Sequence, residues 1–195
     1  MQLDRMKFLV ALLHAKGASG REDEPVNGTT RLVKIIFLAQ RETKLGRFYD
    51  FTPYDYGPYA SEIPDDVEAL RSAGLVDRFE KRLLLSYEES DFYFFQRNSF
   101  EAPVADHDPQ MILHIYQLSP KGKVAASKLW EGLDVETRRL ITEIKRKYNS
   151  LPLTDLLRLV YEHYPEGAAA SKIADKILTS RIGTRPHLSA VVRNE

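Results

Sequence analysis

The side chains best able to do chemistry are dispersed along the chain. Five histidines stand at positions 14, 107, 114, 163 and 187, and none has the H-E-x-x-H or similar spacing that brings two rings to one metal. Asp106-His107-Asp108 holds three ligand groups side by side, yet adjacent loop residues converge on one ion only with help from elsewhere, so it reads as a solvated loop. Pro64-Asp65 and Glu143-Ile144-Lys145 spell the P-D and E-x-K halves of a restriction-nuclease site. That chemistry needs carboxylate and lysine side by side on a strand, whereas this triplet falls in a helical pattern, where i and i+2 point apart. Gly17-Ala18-Ser19-Gly20 lacks the Lys-Ser/Thr of a phosphate-binding loop. No nucleophile-elbow motif supports a serine triad. The chain has no cysteine, which removes disulfides, thiol catalysis and Cys-based zinc sites together. These residues point to a non-enzyme without metal or cofactor.

Charge is the other possible route to function. Lys+Arg and Asp+Glu both number 28, so the formal net charge is zero and no global field draws the protein to nucleic acid. The zero conceals an asymmetry: residues 1–118 carry a balance of −5 and residues 119–195 a balance of +5. Duplex DNA, if bound, would meet Arg78, Lys81 and Arg82, or Lys121, Lys123, Arg138, Arg139, Lys145, Arg146 and Lys147, because cations at phosphates supply most of such affinity. Glu131, Asp134, Glu136 and Glu143 are interspersed with the second set, as on ordinary solvated helices. A protein partner would instead meet Tyr54, Tyr56 and Tyr59 with Glu62, Asp65 and Asp66, since tyrosine offers rigid contact area with a polar tip. The structural alternative is that these rings cap the core around a tight Gly57-Pro58 turn.

The elements that must position these groups follow from periodicity. Leu3, Met6, Val10 and Leu13 predict a first helix over 3–15, followed by a polar loop from Lys16 to Asn27. Leu32, Ile35, Ile36, Leu38 and Ala39 predict a buried central helix opening at Asn27 or Thr29. A tyrosine-rich turn leads to a helix capped by Ser61, with stripe Ile63, Val67 and Leu70 and a stop at Gly74. From Leu75 the pattern changes to strands: 76–85, Phe92–Phe95 and, after a loop over 98–110, 112–118. Ser119 and Pro120 open a helix to about Glu131. Asp134 caps the next, with stripe Leu140, Ile141, Ile144 and Tyr148. A third spans Pro152–Tyr164 and stops at Pro165, a weaker one covers Ala168–Ser180, and 181–195 reads as a tail.

Helix, turn, helix and strand form the skeleton of a winged helix, so the expected fold is α+β: a winged helix-turn-helix with an enlarged β wing (1–132), a helical C-terminal segment (133–180) and the tail. The apolar stripes at 135–164 have two possible covers, the first helix or a second copy in a homodimer. In such a fold the helix from Ser61 to Ala73 would enter the DNA major groove. Glu62, Asp65, Asp66 and Glu68 against the single Arg71 oppose phosphate, and near its start no Arg, Asn or Gln offers a bidentate base contact.

Several motifs carry a resemblance. Ala73-Gly74-Leu75-Val76 followed by Y-x-L-S-x-x-G at 116–122 is similar to MarR- and PadR-type winged-helix regulators. T-R-L-V-K-I-I-F-L at 30–38, Y-G-P-Y at 56–59 and K-Y-N-S-L-P-L-T-D-L-L-R-L-V-Y at 147–161 resemble the YwgA-like family and, more distantly, Panacea antitoxin domains. The likeness covers 27–76 and 116–165. It implies a cytoplasmic winged-helix regulator that binds an operator or neutralises a toxin. The competing expectation is an adaptor that keeps the fold without DNA binding. No apolar run is long enough to span a bilayer, so no membrane is expected.

Overall fold

The structure, a computed structural model, describes residues 3–84 and 110–179. Its first helix, α1 (Arg5–His14), is capped by Asp4, whose carboxylate accepts from Lys7 N at 2.9 Å. A two-residue strand, β1 (Val26–Asn27), follows within the expected polar loop, too short to leave a pattern in sequence. Next comes α2 (Thr29–Glu42), in which Leu32 through Ala39 are all buried. Eight consecutive buried positions exceed the stripe of a surface helix. α2 is therefore enclosed on every side, as its apolar profile predicts. Its N-cap is Gly28, at φ +103°, and no side chain caps it.

The tyrosine-rich turn is a β-hairpin. β2 (Thr52–Tyr54) pairs with β3 (Gly57–Tyr59), placing Pro53 opposite Pro58. Proline in such a stretch reads as turn signal, but a two-stranded ribbon has outer edges that need no N–H. α3 (Glu62–Ser72) follows; Ser61 occupies its N-cap position without a capping hydrogen bond. β4 (Val76–Leu84) and β5 (Gln110–Leu118) then form an antiparallel pair, in register from Val76↔Leu118 to Leu84↔Gln110. β1 adds to the other side of β5, giving the order β1-β5-β4. Gln110, expected in a loop, and Met111 belong to β5, which starts two residues before the expected 112.

Three helices follow as expected. α4 (Pro120–Glu131) starts where the Ser119 hydroxyl accepts from Gly122 N. α5 (Val135–Asn149) starts where Asp134 accepts from Thr137 N. α6 is Leu153–His163. The weak helix over 168–180 is divided instead. Pro165 ends α6 and opens α7 (Pro165–Ala168), and α8 (Ala174–Thr179) comes after a break. The expected strand at Phe92–Phe95, the Asp106-His107-Asp108 cluster and the 181–195 tail lie outside the described residues.

The described residues thus form eight helices, a three-stranded antiparallel sheet and a hairpin, an α+β arrangement. One hydrophobic cluster runs from Phe8 and Ile36 through Leu118 to Tyr148, Leu157 and Ile177. The stripes of α5 and α6 pack on α1 and α2 of the same chain. Ile141, Ile144, Leu156 and Val160 are consequently covered without a second copy. Among the described residues no helix is long and apolar enough to cross a membrane.

Candidate functional site

The Tyr-Gly-Pro hairpin is held from beneath by α2 and from the side by the C-terminal helices. Gly57 sits at φ +85°, and a Cβ there would lie 2.7 Å from the Tyr161 ring. Both facts exclude a side chain. Lys34, 2% exposed, donates to Pro58 O at 2.8 Å. Burial lowers its ammonium to a pKa of about 7, because a charge removed from water is costly unless compensated. At the tip, Asp55 O accepts from Lys172 N at 2.9 Å and from the Ser171 hydroxyl at 3.2 Å. Lys172 Nζ also meets the Asp55 carboxylate at 2.7 Å, and Ser171 bonds Tyr161 OH at 2.9 Å. Gly167 lies against Pro58, which leaves no room for a Cβ. Tyr56 is buried by this embrace. Its expected role in contacting a partner is corrected to a role in the core.

The outer edge of the same hairpin is open. Tyr54 is 41% exposed, and its ring lies 5.2 Å from that of the half-buried Tyr59, tilted by 31°. Partial burial raises the Tyr59 phenol, and Tyr54, Asp65 and Glu62 raise it further. Glu62 and Asp65, in the first turn of α3, therefore flank the rings. They also face the positive end of the helix, which favours carboxylates. Asp66 points the other way. It is buried, accepts from Tyr49 OH at 2.9 Å and pairs with Arg5 at 2.9 Å. Four of the six residues expected to meet a protein partner thus form one surface, and Tyr56 and Asp66 lie under it.

The expected phosphate-binding cations are not brought together. Lys145 is fully buried and donates to Leu13 O at 2.7 Å; it is not at the surface at all. Burial lowers its pKa to about 7, against the opposing pull of Glu24 and Asp23. Arg139 is held by Glu136 at 2.7 Å and Glu143 at 2.6 Å, and Lys147 by Glu42 at 3.2 Å. Lys123 lies 3.9 Å from Asp23, and Lys121 donates to Ala73 O at 2.8 Å. Arg138 is half-buried and Arg146 exposed on α5. Arg78, Lys81 and Arg82 are exposed on β4, where alternation sends Arg78 and Arg82 to one face and Lys81 to the other.

Two cations without an expected role prove to be organisers. Arg31 Nη1 donates to the carbonyls of Tyr148, Asn149 and Leu151 at 3.1, 3.1 and 2.7 Å. It satisfies the C-terminal end of α5, where unpaired carbonyls collect. Arg31 and Lys34 are three apart, so one face of α2 carries both. A cation inside an otherwise apolar helical run was the available signal. The resemblance motifs meet here: Arg31 and Lys34 of the first bond the last residues of α5 and the Tyr-Gly-Pro turn. The Y-x-L-S-x-x-G motif is structural as well. Tyr116 OH bonds Thr29 at 2.7 Å, Ser119 Oγ donates to Gly74 O at 2.6 Å, and a Cβ on Gly122 would stand 1.8 Å from Leu75 O.

A buried polar cluster lies between α1, the 16–25 loop and α5. His14 Nδ1 meets Asp23 Oδ1 at 2.8 Å, and Asp23 N also donates to His14 O at 3.0 Å. Asn149 donates to Glu24 at 3.0 Å and to Pro25 O at 3.0 Å. These contacts pin the loop to the helices. Among the described residues no group of three or more His, Asp or Glu could hold a metal ion. The chain matches no known family model and no curated protein.

Proposed function

We propose that this protein is a non-enzymatic interaction module on a winged-helix scaffold, and that its partner is a basic protein segment. The order α1, β1, α2, α3, β4, β5, with β1 seated beside β5 rather than β4, supports the winged-helix reading. It departs from a minimal helix-turn-helix, whose turn takes three or four residues, by placing the β2-β3 hairpin between α2 and α3. The observation that carries the choice of partner is the surface formed by Tyr54, Tyr59, Glu62 and Asp65. Neither carboxylate has an ion-pair partner among the described residues, whereas the neighbouring Arg5 and Lys172 are already engaged. Aromatic anchors beside uncompensated acids suit a lysine- or arginine-rich segment.

The operator-binding reading has less support. The water-facing side of α3 offers Asp65, Glu68, Ala69 and Ser72, and Arg71 is bound to Glu68. The described cations of β4, α4 and α5 expected to meet phosphate are dispersed, buried or paired. Two measurements test the choice. Fluorescence anisotropy with random duplex DNA across a salt titration should show no binding at low salt; micromolar binding that weakens steeply with salt would favour DNA instead. Pull-down from a cell lysate should capture a basic protein with the unaltered chain and lose it with Asp65→Lys or Tyr54→Ala. Equal capture by all three would sink the patch. A toxin as that partner is what the Panacea-like resemblance would add.

A further inference from the structure

β4 is an edge strand. In the order β1-β5-β4 one side of it pairs with β5, and among the described residues no strand pairs with the other. Long exposed edges invite pairing with another chain, and natural proteins usually blunt them with charge. The charges on this edge are arranged differently. Asp77-Arg78-Phe79-Glu80-Lys81 reads as its own complement when reversed about Phe79. Antiparallel pairing of two copies centred there sets Phe79 against Phe79, Arg78 against Glu80 and Asp77 against Lys81. Each ionic pair occurs twice through the two-fold symmetry. Repulsive like-sign pairs, the usual protection against edge association, are absent from that five-residue register.

The backbone has the right phase for this register. Ser119 N donates to Leu75 O at 3.0 Å, so residues 75 and 119 form a hydrogen-bonded pair of the β4-β5 ladder. Alternation then directs the backbone groups of 77, 79 and 81 toward β5 and those of 76, 78, 80 and 82 outward. Gly28 N donates to His114 O at 2.7 Å, which turns the backbone of His114 toward β1 and away from Glu80, its β4 partner. Pairing centred on Phe79 matches outward-facing 78 with outward-facing 80. A register shifted by one residue would match outward with inward groups. In the Phe79-centred arrangement Phe79 occupies the non-hydrogen-bonded position, where facing side chains approach most closely. Phe79 is 50% exposed, an uncommon position for a phenylalanine unless something covers it. Beside the edge, Glu68, Arg71, Asp77 and Arg78 help line a shallow hollow of about 310 Å³ that also includes Phe79.

From this complementarity we infer that the edge of β4 left unpaired by the described strands docks a second copy of the chain, extending the three-stranded sheet into a six-stranded sheet across a two-fold axis at Phe79. The partner-binding patch on β2, β3 and the start of α3 is separate from this edge, so either assignment can fail alone. Sedimentation velocity over a wide concentration range tests the dimer. The unaltered protein should dimerise reversibly. Asp77→Lys, which sets lysine against Lys81 twice, should weaken the dimer about tenfold or more. Combining Asp77→Lys with Lys81→Asp should restore it. The chain contains no cysteine, so Phe79→Cys adds a second test: mild oxidation should link two copies, because facing Cα atoms in such a pair lie within disulfide reach. Val124→Cys, on the exposed side of α4, should not link. A protein that stays monomeric, a dimer indifferent to Asp77→Lys, or a swap that fails to restore association would each overturn the assignment. Failure of Phe79→Cys to link would do the same.

Discussion

Two aromatic and charged regions meet in this molecule and behave in opposite ways. Around α2, Arg31, Lys34, Tyr56, Gly57 and Tyr161 are folded inward, with Arg31 and Lys34 donating to backbone carbonyls and Tyr161 bonded to Ser171. A few residues away, Tyr54, Tyr59, Glu62 and Asp65 turn tyrosines and carboxylates outward, while Tyr56 and Asp66 beside them are buried. The two sets alternate along one hairpin and one helix turn. Residue type therefore does not separate architecture from interaction; what separates them is position, since Tyr56 at the hairpin tip is covered while Tyr54 on β2 is not.

The largest expected effect tests the inward region. Gly122→Ala and Gly57→Ala should each destabilise the protein by more than about 3 kcal/mol, since one forces a Cβ into Leu75 O and the other into Tyr161 at positive φ. Gly20→Ala also lies at positive φ (+77°), but nothing is within 4 Å of the added Cβ, so only about 1 kcal/mol is expected. Urea denaturation compares the three. Similar losses at all of them would show that packing around the hairpin is not what distinguishes these glycines.

Next in size is Arg31. Arg31→Ala leaves three carbonyls at the end of α5 without this donor and should cost about 2–3 kcal/mol. Arg31→Lys should recover only part, because an ammonium does not reproduce the guanidinium fork.

The buried lysines predict a pH dependence. Lys34 and Lys145 titrate near 7 in the fold and near 10.4 when unfolded. Between these values the unfolded chain binds more protons, so stability should rise with pH above about 7, by up to about 1.4 kcal/mol per unit for each lysine. Below pH 7 both states are protonated and this contribution is flat. The urea midpoint should therefore increase from neutral pH toward pH 9, and Lys34→Met should remove about half of the slope. A midpoint that falls over this interval would contradict burial of the two amines.

The smallest stability effects belong to the outward region. Tyr54→Ala should alter stability by no more than about 0.5 kcal/mol and Asp65→Lys, which reverses a charge in the first turn of α3, by about 1 kcal/mol, while each abolishes capture of a basic partner. A large loss of stability at Asp65 would place it with the inward group. The same measurement on Arg139→Ala should also stay within about 1 kcal/mol, since its pairs with Glu136 and Glu143 are exposed.

Much of the element plan was readable from sequence because local chemistry decides it. The Asp134 and Ser119 caps, Pro120 at the first turn of its helix and the unbroken apolar run of α2 each act within a few residues. What escaped is short or depends on distant partners. β1 has only two residues and exists because β5 lies beside it. The tyrosine hairpin looked like a turn because its prolines signal turns in isolation. The candidate surface was half readable: of the six residues expected to meet a protein partner, sequence did not separate the buried Tyr56 and Asp66 from the other four.

The sequence alone determined the helices from Arg5 to His163, that cysteine chemistry is impossible, and that α2 lies at the centre, since those follow from composition and from contacts between near neighbours. Only the tertiary structure decided that Lys145 is buried while Arg146 is exposed, that Tyr56 and Asp66 belong to the core, and that β5 separates β4 from β1 in the described sheet. Those outcomes depend on which distant surface arrives to exclude water. Leu13 O covers Lys145 from 132 residues away, and no pattern local to α5 records that contact.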